Sequence, residues 1–394
     1  MKKKEKLKGT LAFVFIAILF LSIFSAFAPK VNAQQSTVDW WTMFHHDVTL
    51  SGYSTSPSPL TNQTLWAFTT GDAISSSPAI DNNVVYVGSW DGNVYALNAQ
   101  TGNKIWSYNT HGQAVESSPA VANGVVYIGA DDNNFYALDA ATGSYIWSYN
   151  TTNFVASSPV VTNNVVYVSL DNGNLYALNA AKGTRLWNYT IGDSTNCPAV
   201  VNGVVYVTGN GNVYALNAAK GTKIWSYSIG DFAFSSPAVA KSIVYVNSED
   251  GNVYALNAAT GTKIWNYTTS GGTSTPAVAD GVVYVGSIDG NFYALNYTTG
   301  KYIWSYEMPG KNAAIESSPA VANGVVYIGA WTDSVPDDNI YAFGSIAVPQ
   351  PSPTIPEFPT WIILPLFTVM ILISIAFVRK RTPKKLVHIF LKGG

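Results

Sequence analysis

From residue 62 to residue 345 the chain alternates short apolar runs, rich in Val, Tyr, Ile and Trp, with Gly, Asn and Asp. One unit recurs throughout this stretch. The prolines of an SSPAV-like motif fall at 78, 119, 159, 198, 237, 276 and 319, a period of 39 to 43 residues. Each motif leads to a VVYVG-like run, an NVYALN-like run, a Thr-Gly or Lys-Gly pair, and an Ile-Trp-Ser-Tyr run. Four strands and three tight turns per unit is the pattern predicted. Asp91-Gly92, Asp289-Gly290 and Glu249-Asp250-Gly251-Asn252 supply the positive-φ residues such hairpins need.

Strand order predicts closure. The last unit ends at Tyr341-Ala342-Phe343 without an Ile-Trp-x-Tyr run, and the missing run appears before the first unit as Thr64–Phe68. Tryptophans 66, 106, 147, 187, 225, 265 and 304 match the seven prolines one for one. The expected fold is all-β: a seven-bladed β-propeller of four-stranded antiparallel blades, closed by an N-terminal strand that leaves no open sheet edge.

The ends read differently. Five lysines in residues 2–8, an apolar run at 11–24 and Val31-Asn32-Ala33 make a secretory signal over 1–33. A leader occupies 34–61 and the propeller 62–345. A Pro-rich spacer spans 346–359 and a charge-free transmembrane helix 360–378, followed by a basic tail at 379–394. Arg379-Lys380-Arg381 sets that tail in the cytoplasm, so the propeller faces outside, a monomer held at the membrane by its C-terminal helix. Sequons at Asn62, Asn150, Asn188, Asn266 and Asn296 fit an extracellular glycoprotein.

Composition narrows the chemistry. Charged residues are 11% of the 394 and aromatic ones 13%, with a net charge of −2. With no basic stripe across the repeats, nucleic acid is not an expected partner. A single cysteine, Cys197, excludes an intrachain disulfide, and it reads as a small buried hydrophobe replacing a motif serine. His45-His46 lacks companion ligands in its segment and reads poorly as a metal site.

The pattern DGNVYALNAQTGNKIW at 91–106, recurring through three quarters of the chain, resembles the PQQ-like repeat β-propeller family. The leader Asp39–Asp47 with Ser51-Gly52-Tyr53 is similar to the entry segment of such proteins. Pro356-Glu357-Phe358-Pro359, followed by an apolar run and basic residues, resembles the archaeal PEF-type C-terminal sorting signal. The propeller family includes quinoprotein dehydrogenases, with PQQ and calcium, outer-membrane assembly scaffolds and many surface proteins. The resemblance therefore implies a non-catalytic binding or scaffold module, with a PQQ- and calcium-dependent dehydrogenase or an envelope-protein assembly scaffold as the alternatives. The dehydrogenases' adjacent-cysteine disulfide has no counterpart here, and no inward basic residues stand ready to grip a quinone. No catalytic residue and no cofactor are therefore expected.

Variation between units collects on one face, in the loops entering each inner strand and joining the second and third strands. Before the motif stand Ser75, Glu116, Ala156, Thr195, Phe234, Thr273 and Glu316. The second loops carry Trp90, Asp131, Leu170, a deletion, Glu249, Ile288 and Trp331, and blade seven inserts a stretch containing Asp333. Trp90 and Trp331 lie on neighbouring blades once the ring closes, flanked by Glu116, Glu316, Asp131 and Asp333. This aromatic-acidic patch is the expected ligand site, suited to a sugar ring, a cation or a surface protein. The repeated tryptophans are expected to pack between blades.

Overall fold

The computed structural model describes residues 39–54, 64–192, 196–230, 233–309, 313–322, 325–330 and 339–344. The signal, the spacer, the transmembrane segment, the basic tail, Asn62, Trp331 and Asp333 lie outside them. Among the described residues, no helix is long and apolar enough to cross a membrane. Contacts divide the chain after Ala342, and of the unit 343–394 only Phe343 and Gly344 are described.

Seven four-stranded sheets form among the described residues. The first runs Ala79–Asp81, Val84–Gly88, Asn93–Asn98 and Lys104–Asn109, each strand antiparallel to the one before it. Between its first two strands, Asn82 and Asn83 have φ of 49° and 63°, the two-residue turn that matches strand twist. In blade five Lys241 and Ser242 are held at 49° and 62° in the same place. The fourth strand bulges, since Ala96 pairs with Trp106 and Leu97 with Lys104, leaving Ile105 over.

Side chains lock each blade to the next. Tyr86 Oη and Trp106 Nε1 both donate to the carbonyl of Ala140 in blade two, at 3.1 and 3.0 Å. The pair recurs as Tyr127 and Trp147 on Ala180, and as Tyr206 and Trp225 on Ala258. A Cβ on Gly143 would lie 2.6 Å from the Trp106 ring, which is why that turn carries glycine. Nearer the axis a belt of hydroxyls runs from blade to blade. The Ser77 amide donates to Ser118 Oγ (2.9 Å), that of Ser118 to Ser158 Oγ (3.0 Å), and that of Cys197 to Ser236 Oγ (2.9 Å). Cys197 therefore fills a serine's slot in the belt, and burial pushes its thiol up.

The seventh sheet differs from the other six. Tyr53–Ser54 pairs in parallel with Ala320–Ala322 on the inner edge, followed by Val325–Ala330 and Asn339–Gly344. The expected closing strand, Thr64–Phe68, has no strand assignment. Its side chains nonetheless stand where an outer strand's would. Trp66 Nε1 donates to the carbonyl of Ala99 (2.9 Å), and Phe68 meets Tyr95 at 5.4 Å, as Tyr108 meets Tyr136 at 5.6 Å. The N-terminal region thus closes the ring by backbone at the axis, through Tyr53–Ser54, while Trp66 and Phe68 pack on the outer part of blade one.

The leader does more than enter. Its carbonyls take one inner-strand amide from blade after blade: Trp41 from Ile80, Thr42 from Val121, Val48 from Val200, Thr49 from Val239, Ser51 from Val278 and Gly52 from Val321. In a single sweep about the axis it fills the space between the inner strands. Met43 and Leu50 join the core of blades two to five. The two histidines are used inside this plug. His45 Nδ1 lies 2.7 Å from the Leu50 carbonyl and Nε2 2.9 Å from that of Pro319, and burial holds its pKa below 6.5. For His46 burial works downward too, but the carboxylates of Asp47 and Asp39 prevail and raise it.

Candidate functional site

Two classes of carboxylate stand on the variable face, and their partners separate them. Asp91 accepts from the Asn93 amide (3.0 Å) and from Tyr95 Oη (2.6 Å). Asp132, Asp250 and Asp289 repeat the arrangement with Tyr136, Tyr254 and Tyr293. These acids staple their own hairpins. Glu116, Asp131 and Asp171 serve no such turn.

Asp171, not Leu170, is the counterpart of Trp90 and Asp131 in blade three. Leu170 is completely buried, and Asn172 takes the hairpin role of Asp91 and Asp132. A shift of one residue in comparing the repeats hid this acid. The structure brings Glu116, Asp131 and Asp171 into one electrostatic cluster across blades two and three. Burial, then Glu116, Asp171 and Asp132, push Asp131 up to about 6, and burial and Glu116 raise Asp171. Asp131 Oδ1 and Asp171 Oδ1 are both buried without a hydrogen-bond partner.

The sign of the Asp131 shift sets a test. Its folded pKa lies above the ordinary value of 3.8, so the ionised form costs stability at neutral pH, and that cost disappears as pH falls through 6 toward 4. Asp131 is partly exposed, which reduces the cost. Asp131→Asn should stabilise the protein by about 1 kcal/mol at pH 7 and leave it unchanged at pH 4, read from urea midpoints.

Of the other expected site residues, Trp90 is 45% exposed and its Nε1 donates to Ser75 Oγ (2.9 Å), which holds the indole at the channel rim. Glu316 is exposed in blade seven, where its carbonyl accepts from Thr273 Oγ1. Trp331 and Asp333 lie outside the described residues. Residue reasoning passed over Phe154 and Ile74, exposed by 54% and 49% in the same loops, where Phe234 and Ile288 are exposed by 45% and 49%. Their signal was in the sequence: apolar residues in Gly- and Thr-rich loops, outside any strand.

The family model described as outer membrane protein assembly factor BamB matches residues 55–197 and 193–337. The chain belongs to this family. Among solved structures this PQQ-like repeat propeller is similar to BamB from Moraxella catarrhalis, at 20% identity and TM-score 0.61, covering 71% of this chain and 93% of that one. It is also similar to a europium-containing methanol dehydrogenase, at 14% identity and TM-score 0.56, covering 74% and 89%. A quinohemoprotein alcohol dehydrogenase from Pseudomonas putida HK5 aligns at 15% identity and TM-score 0.55, covering 75% and 76%. No curated protein matches the chain. These likenesses show the fold, and this fold hosts both an assembly factor and dehydrogenases, so by itself it names no reaction.

The residues present on the variable face fit a quinone and its divalent cation poorly. Beneath the rim, Ser76, Ser117, Ser157, Asn196, Ser235 and Ser274 spend their side chains on backbone or neighbouring groups of the blades. Among the described residues, no lysine or arginine stands on this face to meet a polycarboxylate. Nor do three or more described His, Cys, Asp or Glu side chains form a group that could hold a metal ion.

Proposed function

We propose that this propeller is a non-catalytic, protein-binding scaffold, displayed outside the cell on its C-terminal apolar segment, whose variable face receives a cationic, partly apolar segment of a partner. The observation that carries this reading is the makeup of that face. Trp90, Phe154, Phe234 and Ile288 present apolar surface among Glu116, Asp131, Asp171 and Glu249, without a described cation. Aromatic anchors beside uncompensated carboxylates are what a basic peptide needs, apolar contact for affinity and charge for register. The family likeness to an assembly factor supports the same reading.

Photo-crosslinking in the native envelope tests it. A photoreactive residue replacing Trp90 or Phe234 should give polypeptide adducts, and one at Lys220 on the opposite face should give different ones or none. Adducts with carbohydrate alone would overturn the proposal. So would alcohol-dependent dye reduction after reconstitution with quinone and calcium.

A further inference from the structure

The described cations are all on one face. Lys104, Arg185, Lys223 and Lys263 begin fourth strands, Lys182, Lys220 and Lys301 sit in the turns before them, and Lys241 lies in a first-to-second-strand turn. All eight are exposed. Every one of those turns opens opposite the variable face. Asp81, Asp139 and Asp280 share the lysine face, so among the described residues its balance remains strongly positive while the variable face is acidic. A net charge of −2 hides this polarity entirely.

Apolar groups follow the same rim. Beside the cations, the bulged fourth strands leave Ile105, Leu186, Ile224 and Ile264 exposed by 43% to 51%. Where the strand begins with tyrosine instead, Tyr145-Ile146 and Tyr302-Ile303 are exposed as well. The corner of each of the first six blades thus presents a cation or a tyrosine next to an aliphatic chain. That pairing suits a lipid interface, where aliphatic groups enter the headgroup layer while lysine and tyrosine stay at its polar level.

Chain direction adds a third observation. The last described strand, Asn339–Gly344, runs from the variable face toward the lysine face, as every third strand does. In sequence, residues 345–360 then separate it from the apolar run that starts at Trp361, a reach of at most about 58 Å when fully extended.

We propose that the lysine face is a docking surface for an anionic lipid headgroup layer. Each lysine held near such a surface strengthens association about fivefold, and the attraction fades within a Debye length of ~8 Å at physiological salt or ~3 Å at 1 M. Several exposed lysines on one face sum to firm, salt-sensitive contact. Docked in this way, the propeller would turn its acidic, aromatic face away from the membrane.

The test uses the full chain in nanodiscs of phosphatidylcholine alone or with phosphatidylglycerol, labelled by lysine acetylation and carboxylate amidation and read by mass spectrometry. Acetylation of Lys182, Lys220, Lys223 and Lys263 should fall at least about fivefold in the anionic discs and recover at 1 M salt, while labelling of Glu116 and Glu249 stays constant. The variant K220E/K223E/K263E, with an unchanged circular dichroism spectrum, should lose the protection of Lys182. Equal acetylation in both lipids would overturn the proposal. Joint protection of lysines and variable-face carboxylates in both lipids would also overturn it, by showing copies stacked face to face.

Discussion

Removing residues 39–54 from the otherwise complete chain should lower the thermal midpoint by at least about 10 °C, because six blades lose a shared partner at the axis. The amides of Ile80, Val121, Val200, Val239, Val278 and Val321 would each give up a leader carbonyl. Such bonds contribute ~0.5–1.5 kcal/mol each in net terms, and the buried Met43 and Leu50 side chains add ~1.5–3 kcal/mol apiece. Water entering the opened channel would restore part of the hydrogen bonding, so roughly 5–10 kcal/mol is the expected loss. Losing Tyr53–Ser54 also bares the inner edge of the seventh sheet. Calorimetry on the deletion checks the sum. Leu50→Ala, worth ~2–4 kcal/mol by cavity formation, gives a graded reading should the deletion fail to fold. An unchanged midpoint in both variants would mean the leader only occupies the channel.

That role could not be read from the sequence, for a physical reason. The repeats announce themselves because side chains do their work: a tryptophan over a glycine, a tyrosine on the next blade's carbonyl, a serine under the preceding blade's amide. The leader works through its carbonyls, which every residue carries alike. Its aperiodic Trp41–Gly52 stretch suggested an entry segment and nothing about a path around the axis. The closing strand shows the same limit from the other side. Trp66 and Phe68 were placed by their match to the repeat, and their ring contacts agree, whereas Tyr53–Ser54 has no motif and turned out to carry the backbone pairing.

The candidate site was legible in part. Trp90, Glu116 and Asp131 could be assigned to the variable face by counting loops. Asp171 was lost to a one-residue shift, because Leu170 and Asp171 compete for the same slot until burial distinguishes them. Segregation of lysine onto the opposite face was present in every Lys-Gly turn, but its meaning depends on all those turns opening to one side, which only the ring supplies.

The inter-blade clamp gives the second large effect, and its pairwise logic can be measured. At the first junction Tyr86 Oη and Trp106 Nε1 converge on one carbonyl, that of Ala140, with their rings 5.9 Å apart. Both residues are buried, exposed by only 3% and 8%. Trp106→Ala should cost ~3–5 kcal/mol, since it opens a cavity between the buried Tyr86 ring and Gly143, which has no side chain to move in. Replacement by Phe removes each donor while keeping an aromatic ring, and the double-mutant cycle cancels the volume that Trp106→Phe also gives up. Trp106→Phe and Tyr86→Phe should each leave the Ala140 carbonyl with one donor. The double variant strips it of both and strands a buried acceptor, whose desolvation is worth ~1–3 kcal/mol. The double loss should therefore exceed the sum of the single Phe variants by about 1 kcal/mol in urea unfolding. Strict additivity would mean that water or another donor reaches the carbonyl, and that the Tyr86–Trp106 clamp holds by ring packing.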